Sequence, residues 1–265
     1  MSEERRETFE VGGKPKVELK SLPAGHASFL PGENGSVEVA VEGYHADEFV
    51  IEQFGDRVSI QAPERLDTRW DSFEVTVRMP AGTELGANVA SADVDIEVDL
   101  ARLGFNSASG DLRAKSIEGN ARINTASGDV SCEKVGGNVG LNTASGDVRV
   151  REVKGNLGAN TASGDLRVES AFSDLGFRSA SGDLEVGSYG GESLECNTQT
   201  GNVKIALPPG RTLEVDMNTL TGDIRNELGE AEGESEKGDS ATARLRVKTL
   251  SGDITLGRVA SLPEE

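Results

Sequence analysis

The sequence predicts an all-β protein: a β-solenoid of about nine short coils, two strands per coil, with an irregular β section capping one end. Three observations predict it. The triplet Ser-Gly-Asp recurs with its glycines at 110, 128, 146, 164 and 182, each 18 residues from the next. Apolar residues alternate with polar ones between the triplets, the period-2 pattern of strands. Gly makes up 33 of 265 residues while aromatics are only 4%, against a usual Gly share of ~7%.

The period defines the coil. Ser91-Ala92-Asp93 stands one period before the series, and Thr200-Gly201-Asn202, Thr221-Gly222-Asp223 and Ser251-Gly252-Asp253 extend it at wider steps. A weaker mark, Gly119-Asn120, Gly137-Asn138 and Gly155-Asn156, falls nine residues after the triplet glycines 110, 128 and 146. One coil is therefore two strands and two turns, such as Val139–Ser145 followed by Val148–Val150. Gly in these turns is expected to supply positive φ. Stacked coils repeat at about 4.8 Å, so nine of them predict a rod of roughly 40 Å.

Alternation sorts the faces. Val139, Leu141, Thr143 and Ser145 share one parity and are expected inside, with the hydroxyls stacked near the corner. Asn124, Asn142, Asn160, Arg178, Asn197, Asn218 and Lys248 share the other and are expected in water. So narrow an interior leaves no room for Phe or Trp.

Residues 1–72 lack the period and read as a capping section with strands at Val17–Leu22, Ser36–Glu42, Glu48–Gln53 and Arg57–Ala62. A solenoid end is an exposed sheet edge and needs such cover. Most aromatics, among them Phe29, Tyr44, Phe49, Phe54, Trp70 and Phe73, cluster in or beside it and are expected to fill its wider core. The repeat region is taken as 73–257. Its entry, Val75-x-Val77-x-Met79-Pro80-x-Gly82, matches Val203-x-Ile205-x-Leu207-Pro208-x-Gly210. Residues 227–240 are acidic, lack apolar periodicity and read as a mobile loop. Residues 258–265 form a charged tail.

Composition excludes several functions. The net charge of −19 repels a phosphate backbone, so nucleic acid is not an expected partner. No apolar run is long enough for a membrane helix, and the charged start Met1–Arg6 leads into no signal-peptide core. These features point to the cytoplasm, with envelope association possible through a partner. Cys132 and Cys196 fall at inward positions about four coils apart, roughly 19 Å by strand spacing, too far for a disulfide. They read as buried free thiols.

Chemical motifs are few. The column Asp93, Asp111, Asp129, Asp147, Asp165, Asp183, Asn202, Asp223 and Asp253 repeats with the coils. Carboxylates so spaced repel one another unless neutralised. Arg113, Arg149, Arg167, Lys204 and Arg225 stand two residues on at the same parity and supply a cross-strand answer. No metal or other cofactor is expected. Ca²⁺ is the alternative, and Asp165, Asp183 and Glu185, where an acid interrupts the basic column, are where it would bind. His26 and His45 have no ligand spacing around them. No nucleophile–base set and no phosphate loop can be assembled, so no enzyme is expected.

The recurrent Asn-Thr-Ala-Ser-Gly-Asp-Val-x-Val at Asn142–Val150, the entry Val75–Leu85 and the opening Phe9-Glu-Val-Gly-Gly together resemble the bacterial Toastrack family of β-strand-repeat domains, also labelled "putative adhesin". The resemblance covers essentially the whole chain. It implies the repeat fold and a link to cell-envelope stress or adhesion, with no catalytic motif to carry over. The expected function is a non-enzymatic structural or protein-interaction module, a rod presenting repeated side-chain ladders to a protein partner or to itself. A Ca²⁺- or glycan-binding solenoid is the alternative. Strand addition at Ile254 and Leu256, taken as the last coil, is the expected interaction edge.

Overall fold

The computed structural model describes residues 3–63, 72–210, 212–228 and 242–259. Trp70, most of the acidic 227–240 segment and the end of the tail lie outside them. The described residues contain no α-helix, and they form two compact units, Met1–Gly137 and Asn138–Glu265.

The first unit holds β1 (Glu3–Glu10), β2 (Lys16–Leu22), β3 (Gly25–Pro31), β4 (Ser36–Gly43), β5 (Val50–Phe54), β6 (Arg57–Gln61), β7 (Phe73–Met79), β8 (Thr83–Val89), β9 (Asp93–Ile96), β10 (Leu100–Ser107), β11 (Leu112–Ile117), β12 (Ala121–Thr125) and β13 (Val130–Val135). Its strands lie in two faces. One runs β1, β4, β7, β3, β9, β11, β13. The other runs β5, β6, β2, β8, β10, β12. Pairing is antiparallel at β1–β4, β4–β7 and β5–β6 and parallel beyond.

The parallel stack starts before residue 73. Val17 and Leu19 of β2 pair with Leu85 and Ala87 of β8, and Ala27 and Phe29 of β3 pair with Val94 and Ile96 of β9. Residues 16–31 thus make a coil without Ser-Gly-Asp. Their apolar alternation suffices because inward Val17, Leu19, Ala27 and Phe29 continue the core columns, all fully buried. The chain then returns to lay β6 and β7 on the outer side of this coil. Antiparallel β1, β4 and β5 make up that end. Phe49 and Phe73 meet edge to face there, ring centroids 4.9 Å apart. Tyr44 and Phe54 are exposed and do not join this core.

The second unit holds β14 (Val139–Thr143), β15 (Val148–Val153), β16 (Leu157–Thr161), β17 (Leu166–Ala171), β18 (Leu175–Ser181), β19 (Leu184–Tyr189), β20 (Ser193–Thr200), β21 (Val203–Leu207), β22 (Thr212–Thr221), β23 (Ile224–Asn226), β24 (Thr242–Ser251) and β25 (Ile254–Arg258). One face runs β14, β16, β18, β20, β24, β22, and the other β15, β17, β19, β21, β25, β23, every pair parallel. The final two coils are out of sequence order. β24–β25 stacks directly on β20–β21, and β22–β23 lies outside it.

Interiors are wider than the aromatic deficit suggests. Phe105, Phe177 and Tyr189 are fully buried inside coils. Each faces a small residue in register: Phe105 faces Ala87, Phe177 faces Ala159, and Tyr189 faces Ala171. A ring fits where the adjoining coil gives up volume, as close packing requires.

Candidate functional site

Most coil corners are built from a Thr or Ser, a Gly and an Asp or Asn. The strand ends on an inward Thr, and Thr125 and Thr143 are buried. Their Oγ1 atoms accept the N–H of Gly128 and Gly146, both at 3.0 Å. The following Ser127, Ser145 and Ser163 point to solvent, where the sequence pattern placed them inside. The strand stops at the Thr, so period-2 alternation no longer applies to the Ser.

The corner glycines also act differently from expectation. Of the triplet glycines described, only Gly222 and Gly252 have positive φ. The others are required by proximity. A Cβ on Gly164 would lie 2.0 Å from the Gly146 carbonyl oxygen, and one on Gly182 would lie 2.3 Å from that of Gly164. Neighbouring coils touch through bare backbone at this column. The matched entries do use left-handed turns, at Gly82 (φ 80°) and Gly210 (φ 81°).

The Asp column is a hydrogen-bond ladder. Asp111 N–H donates to Asp93 Oδ1 at 3.0 Å, and Asp129 N–H to Asp111 Oδ1 at 2.9 Å. In the second unit Asp165 donates to Asp147 at 3.0 Å, Asp183 to Asp165 at 2.8 Å and Asn202 to Asp183 at 2.7 Å. The series then passes to Asp253 and from there to Asp223, following the spatial order of the coils. Carboxylate repulsion is met by backbone donors as well as by cations.

The basic column is only partly an answer to these acids. Arg113 sits 3.5 Å from Asp95 and 3.8 Å from Asp111, and Arg225 lies 3.3 Å from Asp223. Arg167 turns to Glu185, at 2.6 Å, and not to Asp165. A groove of about 300 Å³ runs between the two columns, walled by Asp147, Asp165 and Asp183 on one side and by Arg149, Arg167 and Lys204 on the other. Its floor is the backbone of Val148, Leu166 and Leu184, whose side chains are buried.

Asp165, Asp183 and Glu185 all line this groove. Glu185 is held by Arg167, and the Oδ1 atoms of both aspartates accept backbone N–H groups. Among the described residues no group of three His, Cys, Asp or Glu side chains could hold a metal ion. His26 approaches Asp95 at 3.3 Å and His45 approaches Glu48 at 3.0 Å. Cys132 and Cys196 are free and buried, and burial pushes both thiols up to about 12. Such thiols are not nucleophiles near neutral pH.

The expected edge at Ile254 and Leu256 is closed. β25 lies between β21 and β23, and both side chains are fully buried. The open coil is β22–β23. Its inward residues Leu213, Val215 and Met217 are only half-buried, Ile224 is 45% exposed and Leu220 is 80% exposed. Sequence order hid this edge, because nothing local in β22 says that a later strand will displace it outward.

The family model described as Toastrack DUF4097 matches residues 29–257. The chain belongs to the Toastrack family. Solved structures that match include a "putative lipid binding protein" from Parabacteroides distasonis, at 12% identity, TM-score 0.48 and 96% coverage of each chain. Another is a "putative adhesin" from Bacteroides fragilis, at 13% identity and TM-score 0.44, covering 96% of this chain and 97% of that one. A third, also a "putative adhesin", comes from Parabacteroides merdae, at 11% identity and TM-score 0.45, covering 96% of this chain and 95% of that one. No curated protein matches.

Proposed function

We propose that this Toastrack chain is a non-enzymatic interaction module that offers an open coil end, flanked by charged ladders, to a protein partner or to itself. One observation carries the reading: β22–β23 ends its stack with half-exposed core residues and no strand beyond it among the described residues. A sheet edge of this kind recruits extended chain. In the first unit, by contrast, the outermost strands β1 and β5 pair antiparallel, and β1 carries Arg5 and Glu7 beside Phe9 at its half-buried positions. The adhesion or envelope-stress setting implied by the family resemblance belongs to the proposal. A cytoplasmic location belongs to it too, and two buried, unpaired thiols are consistent with a reducing compartment.

Ca²⁺ has less behind it, since ladder bonds already engage the Oδ1 atoms of Asp165 and Asp183. A glycan is no better supported, because no aromatic ring lines the groove. The test compares a Met217→Lys variant with the unaltered chain for capture of purified candidate partners and for self-association by light scattering. Weakened association in the variant supports the module reading. Association confined to the groove, lost in Arg149→Ala and Lys204→Ala but kept in Met217→Lys, overturns the coil-end reading.

A further inference from the structure

Charge alternates across the last coils of the second unit in the order in which they stack. Along one outward row, Glu195 of β20 is followed by Arg246 of β24 and then by Asp216 of β22. The adjoining row runs from Ser193 through Arg244 to Glu214. Arg246 Nε lies 3.3 Å from Asp216, and Arg244 Nε lies 2.9 Å from Glu214. With the coils in sequence order, β22 would rest on β20 and Asp216 would oppose Glu195. Inserting β24 puts its Arg246 between Glu195 and Asp216 and its Arg244 against Glu214, and opposite charges directly across strands are favoured while like charges are not. The alternation then stops at β22, on carboxylates.

We propose that the β22–β23 edge takes up an extended segment of a partner protein with alternating apolar and basic residues, added as the next strand. This rests on the interaction-module reading above and names the partner's chemistry. β24 is the template: Ala243, Leu245 and Val247 point inward and are fully buried, while Arg244, Arg246 and Lys248 point outward. A strand of that pattern would continue the core column over Leu213, Val215 and Met217, and its cations would reach the second side of Glu214 and Asp216. Leu220, at 80% exposure, and Leu250, at 56%, flank the site at neighbouring corners and offer apolar area. A second copy is the poorer occupant. It would bring the same carboxylates against carboxylates, in a chain already at −19. The acidic 227–240 run has the wrong sign as well.

The test uses the full chain and a fluorescent peptide of the β24 sequence, Thr-Ala-Arg-Leu-Arg-Val-Lys-Thr-Leu-Ser, read by anisotropy. A control peptide carries Glu at its three basic positions. The basic peptide is expected to bind saturably, with the control weaker by about tenfold or more. The double variant Glu214→Gln/Asp216→Asn should lose about tenfold for the basic peptide. Met217→Asp should lose binding altogether, with its circular dichroism unchanged. Absence of saturation with the basic peptide overturns the proposal, and so does equal affinity for both peptides. A dimer held through β22 that the peptide does not dissociate assigns the edge to a second copy and also overturns it. A purified protein partner that binds Glu214→Gln/Asp216→Asn as tightly as the unaltered chain but is lost by Met217→Asp leaves the coil-end reading standing while this assignment falls.

Discussion

At the residue scale, one glycine column governs how closely the coils approach. Gly164→Ala places a methyl group against the Gly146 carbonyl oxygen, which backbone cannot vacate without separating the coils. The expected cost is about 1–3 kcal/mol, the usual range for overpacking, seen as a lower urea midpoint. Gly140 and Gly158, mid-strand with nothing near their Cβ positions, serve as controls. Alanine there should be neutral or stabilising by up to about 1 kcal/mol. Sequence spacing located these glycines correctly but suggested the wrong reason for them. Turn glycines and close-contact glycines look alike in a repeat, and only the distance to the adjacent coil separates them.

The two thiols make a second residue-scale test. Burial raises Cys132 and Cys196 from an ordinary 9.0 to about 12. The folded state therefore holds protons that the unfolded state releases first, and stability falls with rising pH across that interval. The contribution is fully present below about pH 9 and is lost progressively towards pH 12. Replacing both residues with Ala should flatten this alkaline decline in urea midpoint. At neutral pH the native chain should resist a thiol reagent and react only on unfolding.

At the element scale, corner and strand contribute separately. Thr125→Val keeps the shape but leaves the buried Gly128 N–H without its acceptor, costing about 1–3 kcal/mol by the penalty for an unsatisfied buried donor. The Thr–Gly–Asp set was legible in the sequence as a recurring motif, and so was the inward placement of the Thr. The exposure of the Ser was not legible, because the end of a strand is decided by where the corner bends. Charge on β24 is a second element-scale matter. Arg246→Glu would stand between Glu195 and Asp216. Exposed pairs contribute only about 0–1 kcal/mol each, so the loss should be small and should shrink in high salt, where such charges are screened. Urea unfolding at low and high salt checks this.

For the molecule as a whole, coil order sets which segments are least protected. Among the described residues β22 and β23 have one strand neighbour each, whereas β24 and β25 have two. Amide hydrogen exchange should therefore be faster in β22–β23 than in β24–β25, although β24–β25 stands nearer the end of the chain. Exchange that instead becomes faster along the sequence would mean the coils stack in sequence order. Fast exchange in β22–β23 should slow when the basic peptide is bound.

By itself the sequence determined the all-β repeat, the 18-residue coil, the inward and outward parities as far as the Thr that ends each strand, the buried thiols and the family. These follow from local periodicity, which a strand's two faces and a glycine corner impose residue by residue. The tertiary structure alone decided three things: that residues 16–31 already form a coil, that rings fit where the neighbouring coil carries Ala, and that β24–β25 inserts inside β22–β23. Each depends on which coil lies against which. Which of these similar motifs stack together is a relation across coils, which spacing along the chain does not record. For that reason Ile254 and Leu256 lie sealed in the core, and the open edge passes to Leu213, Val215, Met217 and Ile224.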